Sequence, residues 1–162
     1  ANIAVRYDDA GVQHVYLSGE DVTGQLRTNS ISMGASMVGL HMAVRRKLTE
    51  LQRRVAEEND VVMDGRDITT NVLPDTPYKF YLTASVEERA RRRYQQLLRR
   101  GGTDKTLEEI EREIAARDKN DMERDYMPLR RAEDAVLIDS SSLTIDEVTE
   151  QMLRLIREKE KE

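Results

Sequence analysis

Two short runs near the start of the chain are rich in residues that favour β structure. The runs Ile3 to Tyr7 and Val12 to Leu17 are separated by Asp8-Asp9-Ala10-Gly11. Two β-rich runs joined by a short turn that contains Gly are typical of a β-hairpin. The sequence therefore predicts small β structure at residues 3–17.

Farther along, apolar residues recur every three or four positions. Val44, Leu48, Leu51 and Val55 recur at this spacing. The spacing predicts an amphipathic helix over about residues 33–58, with its bulky apolar side chains facing inward. The arginines around that apolar stripe are Arg45, Arg46, Arg53 and Arg54.

Three short apolar runs in the rest of the chain are each followed by polar residues and separated by helical sequence. They are Val61-Val62-Met63, Phe80-Tyr81-Leu82 and Ala135 to Ile138. Strands of a parallel sheet have continuous apolar runs, because helices cover both faces of such a sheet. The arrangement predicts an α/β domain in which these runs are buried parallel strands.

Local signals mark where the helices of this domain begin and end. Ser or Thr followed three residues later by Glu is the capping-box pattern, in which the two side chains bind free backbone amides reciprocally. Gly101-Gly102 predicts the end of one helix, and Pro128 predicts the end of another that begins near Thr106. The capping-box pairs are Ser85 and Glu88, Thr106 and Glu109, and Thr144 and Glu147.

The composition fits one soluble, helix-rich domain of 162 residues. Hydrophobic residues make up 38% of the chain, and no apolar run approaches the roughly 20 residues that a membrane span requires. The chain has no Cys, and its first residues lack the basic and apolar regions of a signal peptide. We therefore predict a cytoplasmic protein without a disulfide framework.

Positive charge is concentrated locally, although the net charge of the chain is −5. Arginines crowd into residues 45–54, 89–100 and 112–131. Such clusters suit a small polyanionic ligand better than a long nucleic acid, which favours a broadly basic face. His14 and His41 have no Cys or second His at metal-ligand spacing, so we assign them to surface or packing roles and predict no structural zinc.

The most informative short sequence joins the predicted strand 61–63 to the turn Asp64-Gly65-Arg66-Asp67. Ligands of open α/β sheets bind beyond the carboxyl ends of the strands. An Arg at that place can bind a phosphate through two parallel hydrogen bonds, and an Asp can accept from an amino group or a hydroxyl. A salt bridge at the end of a strand explains the same residues equally well.

A second candidate lies in the predicted helix that begins near Thr106. Arg117, Asp121 and Arg124 stand at i, i+4 and i+7, which places two cations and one carboxylate on one helical face. Such a face can hold phosphates and a ribose hydroxyl. An exposed ladder of ion pairs, each contributing about 0.3–0.5 kcal/mol, is the commoner explanation.

The sequence from Glu87 to Arg100 places six arginines on one short helix. Clustered like charges repel each other and cost stability unless an anion or carboxylates offset them. A mobile lid that closes over phosphates is one interpretation. A solvated surface helix, whose Arg stems cover apolar neighbours, is the other.

Taken together, these short sequences resemble bacterial cytidylate kinases in order and spacing from about Val15 to the C-terminus. Each piece alone is modest, whereas their ordered combination is highly specific. The matching pieces are Asp21-Val22-Thr23, Leu26-Arg27-Thr28, Ala35-Ser36, Val44-Arg45, Asp64-Gly65-Arg66-Asp67-Ile68, the run Leu82 to Ala90, Arg117-Asp118 and Pro128-Leu129.

The resemblance implies the α/β fold of the P-loop NTPase-like nucleoside-monophosphate kinases. Such a fold has a parallel sheet with helices, a monophosphate-binding region with a small β insert, and an Arg-rich helical lid. We expect residues 1–58 to form the monophosphate-binding region and residues 59–162 to form a partial kinase core with its lid at about 86–125. The implied reaction transfers the γ-phosphoryl group of ATP, bound with Mg²⁺, to CMP or dCMP.

The resemblance also implies roles for individual residues. Ser36, Arg45 and Asp67 match residues that contact cytosine, and Arg66 matches one that holds the 5′-phosphate. Asp121 matches the carboxylate that binds the ribose hydroxyls. The arginines implied in catalysis are Arg117 and Arg124, which match arginines that converge on the phosphates, and Arg92 and Arg93, which lie in the family's lid.

The chain departs from the family in one large respect. The family begins with a strand, a Gly-rich loop that ends in Lys-Ser or Lys-Thr, and a helix, but no G-x-x-x-x-G-K-[ST] occurs here. In the family that first strand lies between the strands that match 61–63 and 80–82, so its absence leaves unpaired backbone groups. We expect either part of a longer protein or a truncated chain whose strands pair differently.

These observations leave two principal hypotheses. In the first, the chain is the acceptor part of a monomeric enzyme with CMP, dCMP and ATP as ligands and no nucleic-acid or membrane partner. In the second, it is a non-catalytic fragment that binds CMP and needs the missing segment for activity. Smaller departures, Thr69 where Gly is usual and Asn71 where an apolar residue is usual, concern the geometry near Asp67.

Overall fold

A computed structural model of the chain describes residues 2–26, 29–99 and 101–161, apart from the side chains at positions 29, 30, 32, 33 and 36. The chain divides into two compact units, Ala1–Leu51 and Gln52–Glu162. Within the described residues, the first unit contains a small antiparallel sheet and the second contains a pair of parallel strands with helices. None of the described helices is both long enough and apolar enough to span a membrane.

The first unit opens with three antiparallel strands, β1 (Ile3–Tyr7), β2 (Gln13–Leu17) and β3 (Glu20–Asp21), in the order β1-β2-β3. The Asp8 carboxylate accepts hydrogen bonds from two backbone amides of the β1–β2 turn, at 2.9 and 2.8 Å. Gly11 completes the turn with a φ of +75°, which a residue without Cβ adopts at no steric cost. The predicted hairpin is confirmed, with β2 beginning one residue later than expected.

The helix predicted over about 33–58 is wrong as a single element. Two helices occupy this region, α1 (Asn29–Val38) and α2 (Met42–Glu58), and the chain leaves the helical path between them at Gly39. Gly is a poor helix former because ordering its backbone costs more entropy than for other residues. No residue of α2 is buried, so the expected inward packing is also wrong for Leu48 and Val55.

The predicted strand at residues 61–63 is also wrong. Residues 61–64 have no regular secondary structure, and the side chain of Val62 is fully exposed. A strand is stabilised by hydrogen bonds to a neighbouring strand, and in the part of the chain that the structure describes no strand pairs with this segment. An apolar composition without a partner does not produce a strand here.

The second unit contains the predicted parallel pair, β4 (Phe80–Thr83) and β5 (Val136–Asp139), with Phe80 opposite Val136. Two helices, α3 (Val86–Arg99) and α4 (Leu107–Glu123), lie between these strands in the sequence and pack against each other. The strands are less buried than expected: Leu82 and Leu137 are about half exposed. The apolar residues that are buried are Val72, Ala84, Ala90, Ile110, Ala135 and Ile138.

Lys79 is a buried charged residue just before β4. Its ammonium group donates to the Asp134 carboxylate at 2.6 Å and to the Pro74 carbonyl oxygen. The hydrogen bond from Lys79 lowers the pKa of the Asp134 carboxyl group. This contact joins the segments that precede the two parallel strands, and so supports their pairing.

The helix boundaries follow the local signals closely. Complete capping boxes begin α4 at Thr106 and α5 (Ile145–Lys159) at Thr144, as predicted. At Ser85 only half of the box forms, because the Glu88 side chain binds arginines instead of the backbone. Gly101 and Gly102 follow α3 with positive φ, as the Gly-Gly stop predicts. Helix α4 ends at Glu123, several residues before Pro128.

Candidate functional site

Two segments distant in sequence supply a cluster of opposite charges within the second unit. One is the turn that precedes a single π-helical turn, Ile68–Val72, and the other is the C-terminal end of α4. The structure thus brings together both candidate motifs of the sequence. The cluster, called the Arg–Asp cluster below, consists of Arg66, Asp67, Arg117, Asp121 and Arg124.

Asp121 is at the centre of the Arg–Asp cluster. Its Oδ2 accepts a hydrogen bond from the Arg66 Nε at 2.9 Å, across 55 positions of sequence. The Arg117 Nε lies 3.9 Å from the same oxygen, and the Arg124 Nη1 lies 3.5 Å from Oδ1. Only 16% of the Asp121 side chain is exposed, so its charge interacts mainly with these guanidinium groups.

Asp67 forms the second acidic position of the cluster and is buried. Its Oδ1 lies 3.6 Å from the Arg124 Nη2, and its Oδ2 accepts a hydrogen bond from the Asn71 side-chain amide at 3.2 Å. Arg124 therefore lies between the two carboxylates, close to Asp67 on one side and Asp121 on the other. A buried carboxylate is retained at low cost only when such partners surround it.

Arg124 reaches the cluster from just beyond the end of α4. Its backbone is extended, so the expectation that it belongs to the same helical face as Arg117 and Asp121 is wrong in detail. The Nε of Arg124 donates to the Met127 carbonyl oxygen at 2.5 Å, and the amide of Leu129 donates to the Asp121 carbonyl oxygen at 2.7 Å. These bonds fold the chain back on the helix end and direct the guanidinium group inward.

The turn that carries Arg66 and Asp67 is fixed by backbone contacts. A Cβ at position 65 would lie 2.8 Å from the Ile68 side chain, so the close approach requires Gly65. At the end of the π-helical turn, Arg53 of α2 donates to the carbonyl oxygens of Val72 and Asn71, at 2.8 and 2.6 Å. Arg53 thereby links α2 to the turn.

The Arg–Asp cluster has the chemistry of an anion-binding site with a hydroxyl acceptor. The outer arginines are accessible, with 61% of the Arg117 side chain and 41% of the Arg66 side chain exposed. Guanidinium groups bind phosphate oxygens through paired hydrogen bonds, and a carboxylate accepts from hydroxyl groups. The same arginines also pair with Asp121, so the ion-pair ladder considered from the sequence is part of the arrangement.

The arginines of the expected lid lie on α3 and make contacts of their own. Arg92 donates to the Ser140 carbonyl oxygen at 2.6 Å, and its Nε donates to Glu88 at 2.7 Å. Arg93 donates to the Gln96 side chain at 2.6 Å. The hydrogen bonds from Arg91 and Arg92 lower the pKa of the Glu88 carboxyl group.

The other two predicted residues belong to the first unit. Arg45 is half-buried on α2, and Ser36 lies on α1, where its side chain is outside the described residues.

Sequence reasoning did not identify Arg53, Asn71 or Arg89 as residues that support the site. Arg89 joins α3 to α4 through Asp118 at 2.5 Å, and it also donates to the Ala84 carbonyl oxygen. The local pattern does not name the partners of Arg53 and Arg89, because the contacts of Arg53 with residues 71 and 72 and of Arg89 with Asp118 join distant segments.

Comparison with known proteins assigns the family. A family model described as cytidylate kinase matches residues 1–158. The cytidylate kinase of Bacillus licheniformis is 47% identical over 149 residues, which are 92% of this chain and 66% of that protein. The cytidylate kinases of Halalkalibacterium halodurans and Bacillus subtilis are 44% and 46% identical, and the matches cover 94% and 91% of this chain and 68% and 65% of those proteins.

The chain spans about two thirds of the length of these relatives. The family match covers nearly the whole chain, including both segments that form the Arg–Asp cluster. These sequence identities are high enough to establish common ancestry. The chain belongs to the cytidylate kinase family.

Proposed function

We propose that this chain provides the acceptor part of an enzyme that transfers the γ-phosphoryl group of ATP to CMP or dCMP. The observation that carries the proposal is the Arg–Asp cluster, in a chain whose relatives are named cytidylate kinases. The cluster combines exposed guanidinium groups with a nearly buried carboxylate. This combination suits a nucleoside monophosphate, which has both a phosphate and ribose hydroxyl groups.

Each residue of the cluster takes the role that the family resemblance implies. Arg66 holds the 5′-phosphate of the acceptor, and Asp121 accepts from the ribose hydroxyl groups. Arg117 and Arg124 neutralise charge on the phosphates during transfer. The resemblance implies that Asp67 contacts the cytosine base, and it implies the same role for Ser36 and for Arg45.

Phosphoryl transfer requires little covalent chemistry from the protein. The enzyme positions the attacking oxygen in line with the γ-phosphoryl group and stabilises the charge spread over its oxygens. Arginines supply this stabilisation without proton transfer, because the guanidinium group stays charged at all physiological pH values. Arg92 and Arg93 take part as lid arginines, which requires Arg92 to exchange its contacts with Glu88 and Ser140.

No site for the donor nucleotide or its Mg²⁺ is identified among the residues that the structure describes. The chain lacks the G-x-x-x-x-G-K-[ST] loop whose amides and Lys hold the phosphates of ATP. Among the described residues, no group of three or more His, Asp or Glu side chains is placed to hold a metal ion. We therefore assign no step of the reaction to the metal within this chain.

A second candidate function is binding of CMP without transfer. The missing Gly-rich loop favours it for this chain alone, because the acceptor residues do not depend on that loop for their mutual contacts. In this case the chain binds CMP weakly and becomes an enzyme only when the loop region is supplied. The predicted cytoplasmic location and monomeric state remain predictions.

A coupled assay distinguishes the two candidates. The chain is tested alone and after fusion to the N-terminal Gly-rich-loop region of the Bacillus licheniformis relative, with CMP, dCMP, UMP and AMP as acceptors. ADP formation that depends on CMP in the fusion supports the enzyme as the function of the longer protein. For the chain alone, calorimetric binding of CMP without turnover supports the second candidate, whereas turnover by the chain alone contradicts it. Equal turnover of AMP and CMP contradicts both.

A further inference from the structure

Asp121 occupies a place that its own helix does not favour. It lies in the last turn of α4, where the helix dipole has its negative end and destabilises a carboxylate. That turn contains no Lys or Arg to offset the charge. The cations near Asp121 are Arg66, Arg117 one turn earlier, and Arg124 just beyond the helix end. The position of Asp121 therefore depends on how α4 is held within the second unit.

Arg89 joins α4 to the end of a parallel strand. Its Nη1 donates to the Asp118 Oδ2 at 2.5 Å, and its Nε donates to the Ala84 carbonyl oxygen at 3.0 Å. Ala84 is buried and directly follows β4, at the carboxyl end of that strand. The donors of a guanidinium group have a rigid, planar geometry. One group that makes both bonds therefore fixes Asp118 relative to the end of the strand.

The contact of Arg89 with α4 lies close to the Arg–Asp cluster along that helix. Asp118 precedes Asp121 by three positions, and side chains at this spacing are neighbours on a helical surface. The pair is partly shielded from water, with 32% of the Arg89 side chain and 21% of the Asp118 side chain exposed. Removal of one partner leaves the other charge partly buried and unpaired. A shift of α4 at Asp118 also moves Asp121, because the two lie within one turn of helix.

We propose that Arg89 and Asp118 are positioning residues, which hold Asp121 where it accepts from the ribose hydroxyl groups of the acceptor. This inference rests on the proposed function, in which Asp121 has that role. Arg89 acts through α4 and does not need to touch the nucleotide. Hydrogen bonds weaken steeply when their geometry changes. Loss of the pair should affect the hydroxyl contact more than the phosphate contact of Arg66, because Arg66 belongs to a different segment.

The test compares CMP with 2′,3′-dideoxy-CMP, which has the same base and phosphate but lacks both ribose hydroxyl groups. Isothermal titration of the fusion protein described above measures both dissociation constants, and their ratio is the hydroxyl preference. The variants are Arg89→Ala, Asp118→Ala and the double variant. Glu113→Ala is the control, because it breaks another ion pair of α4, with Lys105 at 2.6 Å, nearer to the start of the helix.

For Arg89→Ala, we expect the hydroxyl preference to fall about tenfold, the scale of one hydrogen bond to a charged group. Asp118→Ala should cause the same fall, and the double variant should lose no more than either single variant, because both changes remove one contact. Glu113→Ala should keep the preference. A role in stability alone would weaken the binding of both nucleotides equally and leave the preference unchanged.

Far-UV circular dichroism verifies that each variant is folded at the temperature of the titration. Asp118→Asn replaces any variant that does not fold, because Asn keeps the size of Asp and one acceptor oxygen. Its hydrogen bond with Arg89 lacks the charge of the carboxylate, so the expected fall in hydroxyl preference is smaller, about threefold.

An unchanged hydroxyl preference in Arg89→Ala, Asp118→Ala or Asp118→Asn overturns the inference while the proposed function stands, provided that the parent binds CMP. Additive losses in the double variant, or an equal fall in Glu113→Ala, also overturn it. A parent that binds both nucleotides equally well overturns the ribose role of Asp121, and the inference with it. A parent that binds neither nucleotide overturns the proposed function itself.

Discussion

The small antiparallel sheet and the Arg–Asp cluster are built from contacts of very different range. In the sheet, the most distant paired residues of β1 and β2 are Ile3 and Leu17. In the cluster, the contact between Arg66 and Asp121 spans 55 positions. Closing a longer loop costs more chain entropy, so the cluster forms only when other contacts have already ordered the second unit. The sheet depends on its own turn, whereas the site depends on the whole core.

The two regions also differ in how deeply their apolar side chains are buried. The large apolar side chains of β1, Ile3, Val5 and Tyr7, remain half exposed or more. In the second unit, Ile138 and Ala90 are almost fully buried. Burial of apolar surface is the main source of stability, so the second unit should respond far more strongly to truncation of a side chain.

The largest effect should come from the core of the second unit. Ile138→Ala is expected to lower the free energy of unfolding by about 3 kcal/mol, because it removes buried methyl groups and leaves a cavity. Val5→Ala, on the half-exposed strand β1, should cost less than about 1 kcal/mol. Urea unfolding followed by far-UV circular dichroism measures both. Similar losses in the two variants would show that the contrast in burial does not control stability.

A smaller effect is expected for ligand binding at the cluster. Arg66→Ala should weaken CMP binding by about 2 kcal/mol or more, because the phosphate loses a hydrogen-bonded charge partner. Arg112→Ala is the matched control, since Arg112 is an exposed arginine of α4 whose Nε binds only the Glu108 carbonyl oxygen in its own helix. Isothermal titration with the fusion protein measures both affinities. An unchanged affinity in Arg66→Ala would exclude the phosphate role.

The capping box of α5 should contribute less free energy than the core residue Ile138 or the phosphate contact of Arg66. Thr144→Ala removes the complete capping box of α5 and is expected to cost about 1 kcal/mol of stability. Thr149→Ala is the control, because Thr149 is exposed within the same helix and its hydroxyl binds the Ile145 carbonyl oxygen. The urea concentrations at the unfolding midpoints of the two variants measure the two losses of stability. Equal losses would mean that the cap contributes nothing beyond the average Thr on this helix.

The smallest effect should be the pH dependence of the antiparallel sheet. The Nδ1 of His14 lies 2.8 Å from the Asp21 carboxylate and its Nε2 lies 3.5 Å from Asp8, and these contacts raise the pKa of His14. Hydrogen bonds from Thr23, followed by the contact with His14, lower the pKa of Asp21 to about 2. Tyr16 is the aromatic neighbour of the imidazole.

The sign of each effect follows from the direction of the shift. A raised pKa means that His14 stabilises the sheet fully below its ordinary pKa of 6.5 and that this contribution is lost as the pH rises through the raised value. Asp21 acts in the opposite sense, because its contribution is present above 3.8 and is lost as the pH falls toward about 2. Amide exchange in β2 at pH 5.5 and 8.5 should show slower opening at pH 5.5, and His14→Gln should remove most of that difference. Faster opening at pH 5.5 would contradict the assignment.

Short-range signals predicted much of the fold correctly. The hairpin of β1 and β2, the strands β4 and β5 and the capping boxes of α4 and α5 all lie where the sequence indicates. The failures involve elements that need a distant partner or a local break. Residues 61–63 have the apolar composition of a strand but no neighbour among the described strands, and Gly39 interrupts a continuous helical pattern.

For the site, the sequence by itself determined the residue types and the family resemblance that connects them. Arg66 with Asp67, and Arg117 with Asp121, were identifiable because their spacing is local. Only the tertiary structure decided that these segments meet, that Arg124 reaches them from beyond its helix, and that Arg53 contacts the π-helical turn. The reason is physical: a side chain's hydrogen-bond partner across tens of residues is set by how the core packs, and no local period records it.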